Sequence, residues 1–110
     1  MSNIVFAGQE AYEVGLRWYP GDPVSLSAIV LDTNWAGTYT AKVRKFADPD
    51  STELATLTVS ATYSAVTGDT TFTWSLTDAA SDAIAAGKYW WSCREVAGVT
   101  RFSGPVEVTP

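Results

Sequence analysis

Four small or apolar side chains, Ala55, Leu57, Val59 and Ala61, alternate without a break with Thr56, Thr58, Ser60 and Thr62. A helix advances about 100° per residue and would scatter these apolar groups around its axis, whereas a strand gathers them on one side. The same two-residue period recurs along the chain, so the expected fold class is all-β.

Residues 71–76 set Phe72, Trp74 and Leu76 inward and Thr71, Thr73 and Ser75 outward, after the turn signal Gly68-Asp69. This segment and residues 55–62 are expected to form a hairpin. Residues 38–45 oppose Tyr39, Ala41 and Val43 to Thr40, Lys42 and Arg44, a half-buried strand with a basic outer face. Residues 24–31 begin in alternation and end wholly apolar, as a strand does when both its faces become covered. Residues 88–95 place Tyr89, Trp91 and Cys93 on one face and Trp90, Ser92 and Arg94 on the other. The turn Ala97-Gly98 then predicts that residues 99–102 pair back on them. Val106 and Val108 close the set after Gly104-Pro105, where a proline suits an edge position or a bulge.

With residues 14–18 as a first strand, these segments predict an immunoglobulin-like antiparallel β-sandwich of about seven strands over residues 13–110. Residues 78–86 are Ala-rich, with a cap at Thr77 or Asp78 and a stop at Gly87, and add one short helical turn. Residues 1–12 precede the first clear strand and are expected to form an N-terminal arm.

A chain of 110 residues is long enough to bury one core, so a single domain is expected. Its formal net charge of −5 leaves no surplus of cations to replace the counterions of a phosphate backbone, which argues against nucleic acid as a partner. The cluster Lys42, Arg44 and Lys45 reads instead as a solvated strand face. Histidine is absent, which removes the commonest general base, the commonest metal ligand and every Ser-His or Cys-His nucleophile. The single cysteine, Cys93, leaves no disulfide and no zinc cluster. Neither enzymatic activity nor a cofactor or bound metal is expected. The N-terminus lacks a basic leader, and no run approaches the roughly 18 apolar residues of a membrane span, so a soluble protein made in a cytoplasm, with no membrane partner, is expected.

Four short motifs carry a resemblance: Gly21-Asp22 before a core strand, Leu76-Thr77 before the Ala-rich turn, Gly87-Lys88-Tyr89 opening an aromatic strand, and the terminal Pro105-Val106-Glu107-Val108. Over residues 14–110 the chain resembles the immunoglobulin-like N-terminal domain of phage upper baseplate proteins. The resemblance implies a structural adaptor that fixes receptor-binding or fibre proteins at the tail tip. Members of that family continue into a linker and a second domain, whereas this sequence stops at Pro110, so a stand-alone module decorating a capsid or tail tube is the other expectation. Cys93 has no partner for the inter-sheet disulfide of true immunoglobulin domains.

The expected function is thus that of a phage virion structural protein, at the tail tip or baseplate as a minor tail protein, or on the capsid surface as a decoration protein. Its expected partners are other virion proteins or further copies of the chain. The candidate contact residues are Trp90 and Arg94, which share outward parity, and Trp35 in the loop Asn34-Trp35-Ala36-Gly37, since aromatic and Arg side chains favour buried interface centres. The apolar cluster Ile4-Val5-Phe6 is a further candidate, as such a segment adds to a neighbour's sheet edge or docks on its own domain. A rival function is a carbohydrate-binding module using Trp35, Trp90 and Tyr19 as a platform. Trp74 and Trp91 take inward parity and are assigned to the core, with Cys93 beside them as a small hydrophobe. Asp48, Asp50 and Glu53 crowd three carboxylates together, but without the glycine and ligand spacing of a calcium loop they read, with Pro49, as a turn.

Overall fold

The computed structural model describes residues 3–6, 12–48, 50–96 and 98–110. Among them run nine strands and one helix: β1 (Asn3–Phe6), β2 (Tyr12–Glu13), β3 (Leu16–Trp18), β4 (Val24–Val30), β5 (Tyr39–Arg44), β6 (Glu53–Ser64), β7 (Asp69–Leu76), α1 (Asp78–Asp82), β8 (Gly87–Glu95) and β9 (Thr100–Val108). The chain is all-β. The strands form one curled path, β1-β4-β7-β6-β5-β8-β9-β2, with β3 also paired to β9.

The curl turns on β6. Its first part pairs with β5 through Ala41↔Leu57 and Lys42↔Thr56, and its second with β7 from Thr58↔Ser75 to Ser64↔Asp69. One long strand thereby belongs to both halves of the sheet, and the halves fold over so that their inward side chains meet. The Trp74 ring of β7 lies 5.4 Å from that of Trp91 on β8 and 4.9 Å from Phe102 on β9, and Phe72 lies 4.9 Å from Phe102. Most of these rings cross edge to face, the arrangement that brings a positive ring edge onto a negative ring face. The expected hairpin is present as β6–β7, its turn closed by Gly68 at φ +78°, a conformation that favours glycine.

Two expectations need correction. The strand count rises from about seven to nine, and the sheet is mixed rather than purely antiparallel, because β1 runs parallel to β4 and both β2 and β3 run parallel to β9. The N-terminal strands enter from outside the regular up-and-down pattern, which no local periodicity reports. Of the expected arm, Ile4, Val5 and Phe6 pair with Ala28, Ile29 and Val30 at the edge of the chain's own sheet, and Tyr12 is buried in β2. Residues 1, 2 and 7–11 lie outside the described residues.

Residues 99–102 and 106–108 are not two segments but parts of one strand, β9, flanked by β8 on one side and by β2 and β3 on the other. Pro105 therefore occupies an interior strand. Ser103 accepts from the Val14 N–H and the Thr109 N–H donates to Trp18, so by alternation the Pro105 nitrogen also faces β2 and β3. It meets them at the break between these two strands, residues 14 and 15, where no ladder bond is lost. The same break is seated in the core: a Cβ on Gly104 would stand 2.1 Å from the Val14 carbonyl oxygen, and that oxygen accepts 2.7 Å from the Trp91 indole N–H.

The helix is short. Thr77 caps it by accepting from the Ala80 N–H at 3.2 Å, and its buried Ser81 hydroxyl donates to the Tyr19 carbonyl at 3.4 Å, which ties α1 to the turn between β3 and β4.

Candidate functional site

The outer face of β5, β8 and β9 gathers most of the chain's cations. Cross-strand pairing sets Thr40 beside Arg94, Lys42 beside Ser92, Arg44 beside Trp90, and Lys88 beside Glu107. Arg17 on β3 joins Glu107 from the far side. Five of the chain's seven Lys and Arg residues, Arg17, Lys42, Arg44, Lys88 and Arg94, thus share one face in a protein of net charge −5.

A shallow groove of about 130 Å³ lies in this face, lined by Thr40, Lys42, Arg44, Ser92, Arg94 and Thr100. Two of its three cations are held in place. Lys42 Nζ sits 2.8 Å from Glu53 Oε1, and Arg44 lies 3.3 Å from the same oxygen while donating to the Ser51 carbonyl at 3.1 Å. The hydrogen bond from Lys42, with the charge of both cations, holds the Glu53 carboxyl below its ordinary range. Arg94 is exposed and, among the described residues, has no ion-pair partner. Three cations against one carboxylate leave the groove electropositive, with three hydroxyls to share hydrogen bonds. Anions are the ligands such a lining favours.

Trp90 stands next to this groove, flanked across the strands by Arg44 and Pro105, and is partly buried. A second hollow, of about 390 Å³, opens on its other side between Gly15, Arg17, Lys88, Pro105 and Glu107. The expected contact pair Trp90 and Arg94 therefore does share a face, four residues and about 13 Å apart along β8. In sequence Lys42 and Arg44 read as a solvated face. Parity alone turns them outward, and only the β5–β8 register shows that they complete a groove with Arg94.

Trp35 lies elsewhere. Its ring contacts Tyr12 at 5.9 Å, Phe72 at 6.4 Å and Phe102 at 6.3 Å, so it plugs one end of the core. The Arg101 guanidinium covers it at 4.3 Å, the stacking expected of a cation over a ring face, and pairs in turn with Glu95 at 3.4 Å. The buried Thr70 hydroxyl anchors the loop by accepting from the Trp35 N–H and donating to the Thr33 carbonyl. Tyr19 is 52 % exposed but follows β3 at the opposite end of the sheet, near α1. Phe102 beside Trp35 and Val108 beside Trp18 are six residues, about 20 Å, apart along β9. The structure does not bring Trp35, Trp90 and Tyr19 onto one platform.

Asp48 shapes its turn, accepting from the Asp50 N–H at 2.9 Å on its carboxylate and from the Ser51 N–H at 2.9 Å on its carbonyl, while Glu53 is engaged by Lys42 and Arg44. Pro49 lies outside the described residues, as does Ala97 of the β8–β9 turn. Among the described residues no cluster of three His, Cys, Asp or Glu is placed to hold a metal, and no helix is long and apolar enough to cross a membrane. Cys93 faces the core, and burial pushes its thiol up to about 11, eased slightly by the Trp74 indole. The chain matches no family model and no curated protein.

Proposed function

We propose that this chain is a non-catalytic, immunoglobulin-like assembly module that binds protein through the outer face of β5, β8 and β9, and that it serves in a phage virion at the tail tip or on the capsid. The observation that carries the binding reading is the partly buried Trp90 set between Arg44 and Pro105 beside a pre-positioned cationic groove. An indole and guanidinium groups on an otherwise hydrophilic strand face are the composition of an interface centre, not of a face selected only for solvation.

The immunoglobulin-like assignment draws support from strand order. Lettered as in a constant-type domain, β1-β4-β7-β6 follows A-B-E-D and β5-β8-β9 follows C-F-G. The virion assignment rests on the sequence resemblance and on a face suited to repeated protein contacts. In place of the missing disulfide, Trp74, Trp91, Phe72 and Phe102 join the two halves by ring packing.

The test is incorporation. Particles assembled with Trp90→Ala protein are expected to lose the chain while the isolated variant keeps wild-type circular dichroism. Unchanged incorporation would sink the interface reading, and labelled wild-type protein absent from intact particles would sink the virion reading.

A further inference from the structure

The electropositive groove has a counterpart on the same molecule. At the other end of the sheet an open surface depression of about 290 Å³ is lined by Gly21, Asp78, Ala79 and Asp82, with no cation in its lining. Asp22, Asp78 and Asp82 are all exposed, and among the described residues none of them makes an ion pair. The Asp82 carboxylate oxygen lies 3.5 Å from the point where a Cβ on Gly21 would stand, so this acidic end is built where α1 docks on the β3–β4 turn.

We infer that the groove of one copy receives the acidic end of another, so that copies associate head to tail. The inference rests on the binding face proposed above and names its partner as a second copy of this chain. Three features support it. The charges are complementary: Lys42, Arg44 and Arg94 with Thr40, Ser92 and Thr100 on one surface, Asp22, Asp78 and Asp82 on the other. Arg94, exposed, lacks an internal counter-charge among the described residues, and so do the three aspartates, so pairing them breaks no ion pair within either copy, while Lys42 and Arg44 keep Glu53 between them. The two surfaces also cannot meet within one molecule, because Arg94 lies seven residues, about 23 Å, along β8 from Gly87, where the strand leaves the α1 end. Two different patches on one subunit give a heterologous contact, which closes into a ring or continues as a filament. That geometry suits a component present in repeated copies.

Sedimentation velocity of the full chain tests this. At about 0.05 M salt the wild type is expected to form concentration-dependent species larger than a dimer, and at about 1 M salt, where the screening length falls to about 3 Å, to return to monomer. Arg94→Glu alone and the pair Asp78→Asn with Asp82→Asn are each expected to weaken self-association at least tenfold. All these side chains are exposed, and circular dichroism checks that the fold is kept. The decisive sample mixes the two variants. The intact groove of the Asn variant accepts the intact acidic end of the Arg94→Glu variant, and the complementary surfaces are both disabled, so growth must stop at a one-to-one dimer. A wild type that stays monomeric at low salt overturns the inference, as does assembly that either variant leaves intact. Binding of a sulfated oligosaccharide by a monomeric wild type, lost in Arg94→Glu, also overturns it and assigns the groove to a glycan. Virion incorporation is measured separately, so absence from particles leaves a head-to-tail assembly in solution standing.

Discussion

The two outer faces of this sheet are built on the same alternation yet carry opposite chemistry. Across β4, β7 and β6, three rows run Ser25-Ser75-Thr58, Ser27-Thr73-Ser60 and Ile29-Thr71-Thr62, hydroxyls with one isoleucine, and a charge enters only with Asp69 beside Ser64 in the row that follows. Across β5, β8 and β9 the corresponding positions set Lys42, Arg44, Arg94, Lys88, Glu107 and Trp90 among Thr40, Ser92, Thr100 and Pro105. Serine and threonine are the low-cost way to solvate a strand, since they present a hydroxyl without an ion to hydrate or a ring to expose, and Thr favours strands. The hydroxyl face needs no reason beyond folding. A partly exposed indole among guanidinium groups does need one, and the contrast supports the binding face proposed for β5, β8 and β9.

The two faces stay apart only while the shared core holds both halves, and Trp74, like Phe72, touches each, with its ring against Phe72 in its own half and against Trp91 and Phe102 in the other. Trp74→Ala is expected to cost about 3–5 kcal/mol in urea unfolding. A loss well under 1 kcal/mol would mean that the halves do not depend on this contact.

A smaller and one-sided effect is expected from Gly104→Ala. The new Cβ would meet the Val14 carbonyl, so that backbone must move, at a cost of about 1–3 kcal/mol. Hydrogen exchange is expected to show lost protection at Val14 and Leu16–Trp18, with β4 and β7 retained; uniform loss through both halves would contradict a local seat for the N-terminal strands.

Swapping single residues on the outer faces sharpens the contrast itself. Trp90→Ala and Thr73→Ala are each expected to change stability by less than about 1 kcal/mol, yet only the first should abolish incorporation. Equal effects of the two on incorporation would erase the distinction between the faces.

The smallest stability effect belongs to Glu53→Gln. Glu53 has its carboxyl held below the ordinary value of 4.5 in the folded state, so its ion pairs stabilise above that value and are lost as pH falls through the folded value. The difference in Tm between wild type and Glu53→Gln is therefore expected to be present at neutral pH and to vanish in acid, while the variant binds an anionic probe more tightly at neutral pH. A Tm difference that grows in acid would reverse the assignment. Beneath the same face, Cys93 should resist thiol-specific labelling until the protein unfolds, because burial keeps the thiol protonated up to about 11.

Alternation along the chain is enough to give the all-β class and most of the inward set. Tyr39, Ala41, Val43, Phe72, Trp74, Leu76, Trp91, Cys93, Val106 and Val108 all take inward parity, and all are buried. Of the set on β6 only Leu57 is buried, while Ala55, Val59 and Ala61 are partly buried, as is Tyr89 near the start of β8, where its hydroxyl donates to the Ala85 carbonyl at 2.6 Å. Parity follows from the covalent geometry of an extended chain, and so needs no knowledge of neighbours.

Which strand lies beside which depends on contacts between distant residues, such as Trp91 with Val14 and Trp35 with Phe102. Those pairings made the sheet mixed, let Pro105 sit in an interior strand, packed the loop residue Trp35 against the core, and joined Lys42 and Arg44 to Arg94 as one groove. A two-residue period tells each side chain which way to point. It carries no information on what stands opposite, because that choice is made by the packing of the whole chain at once.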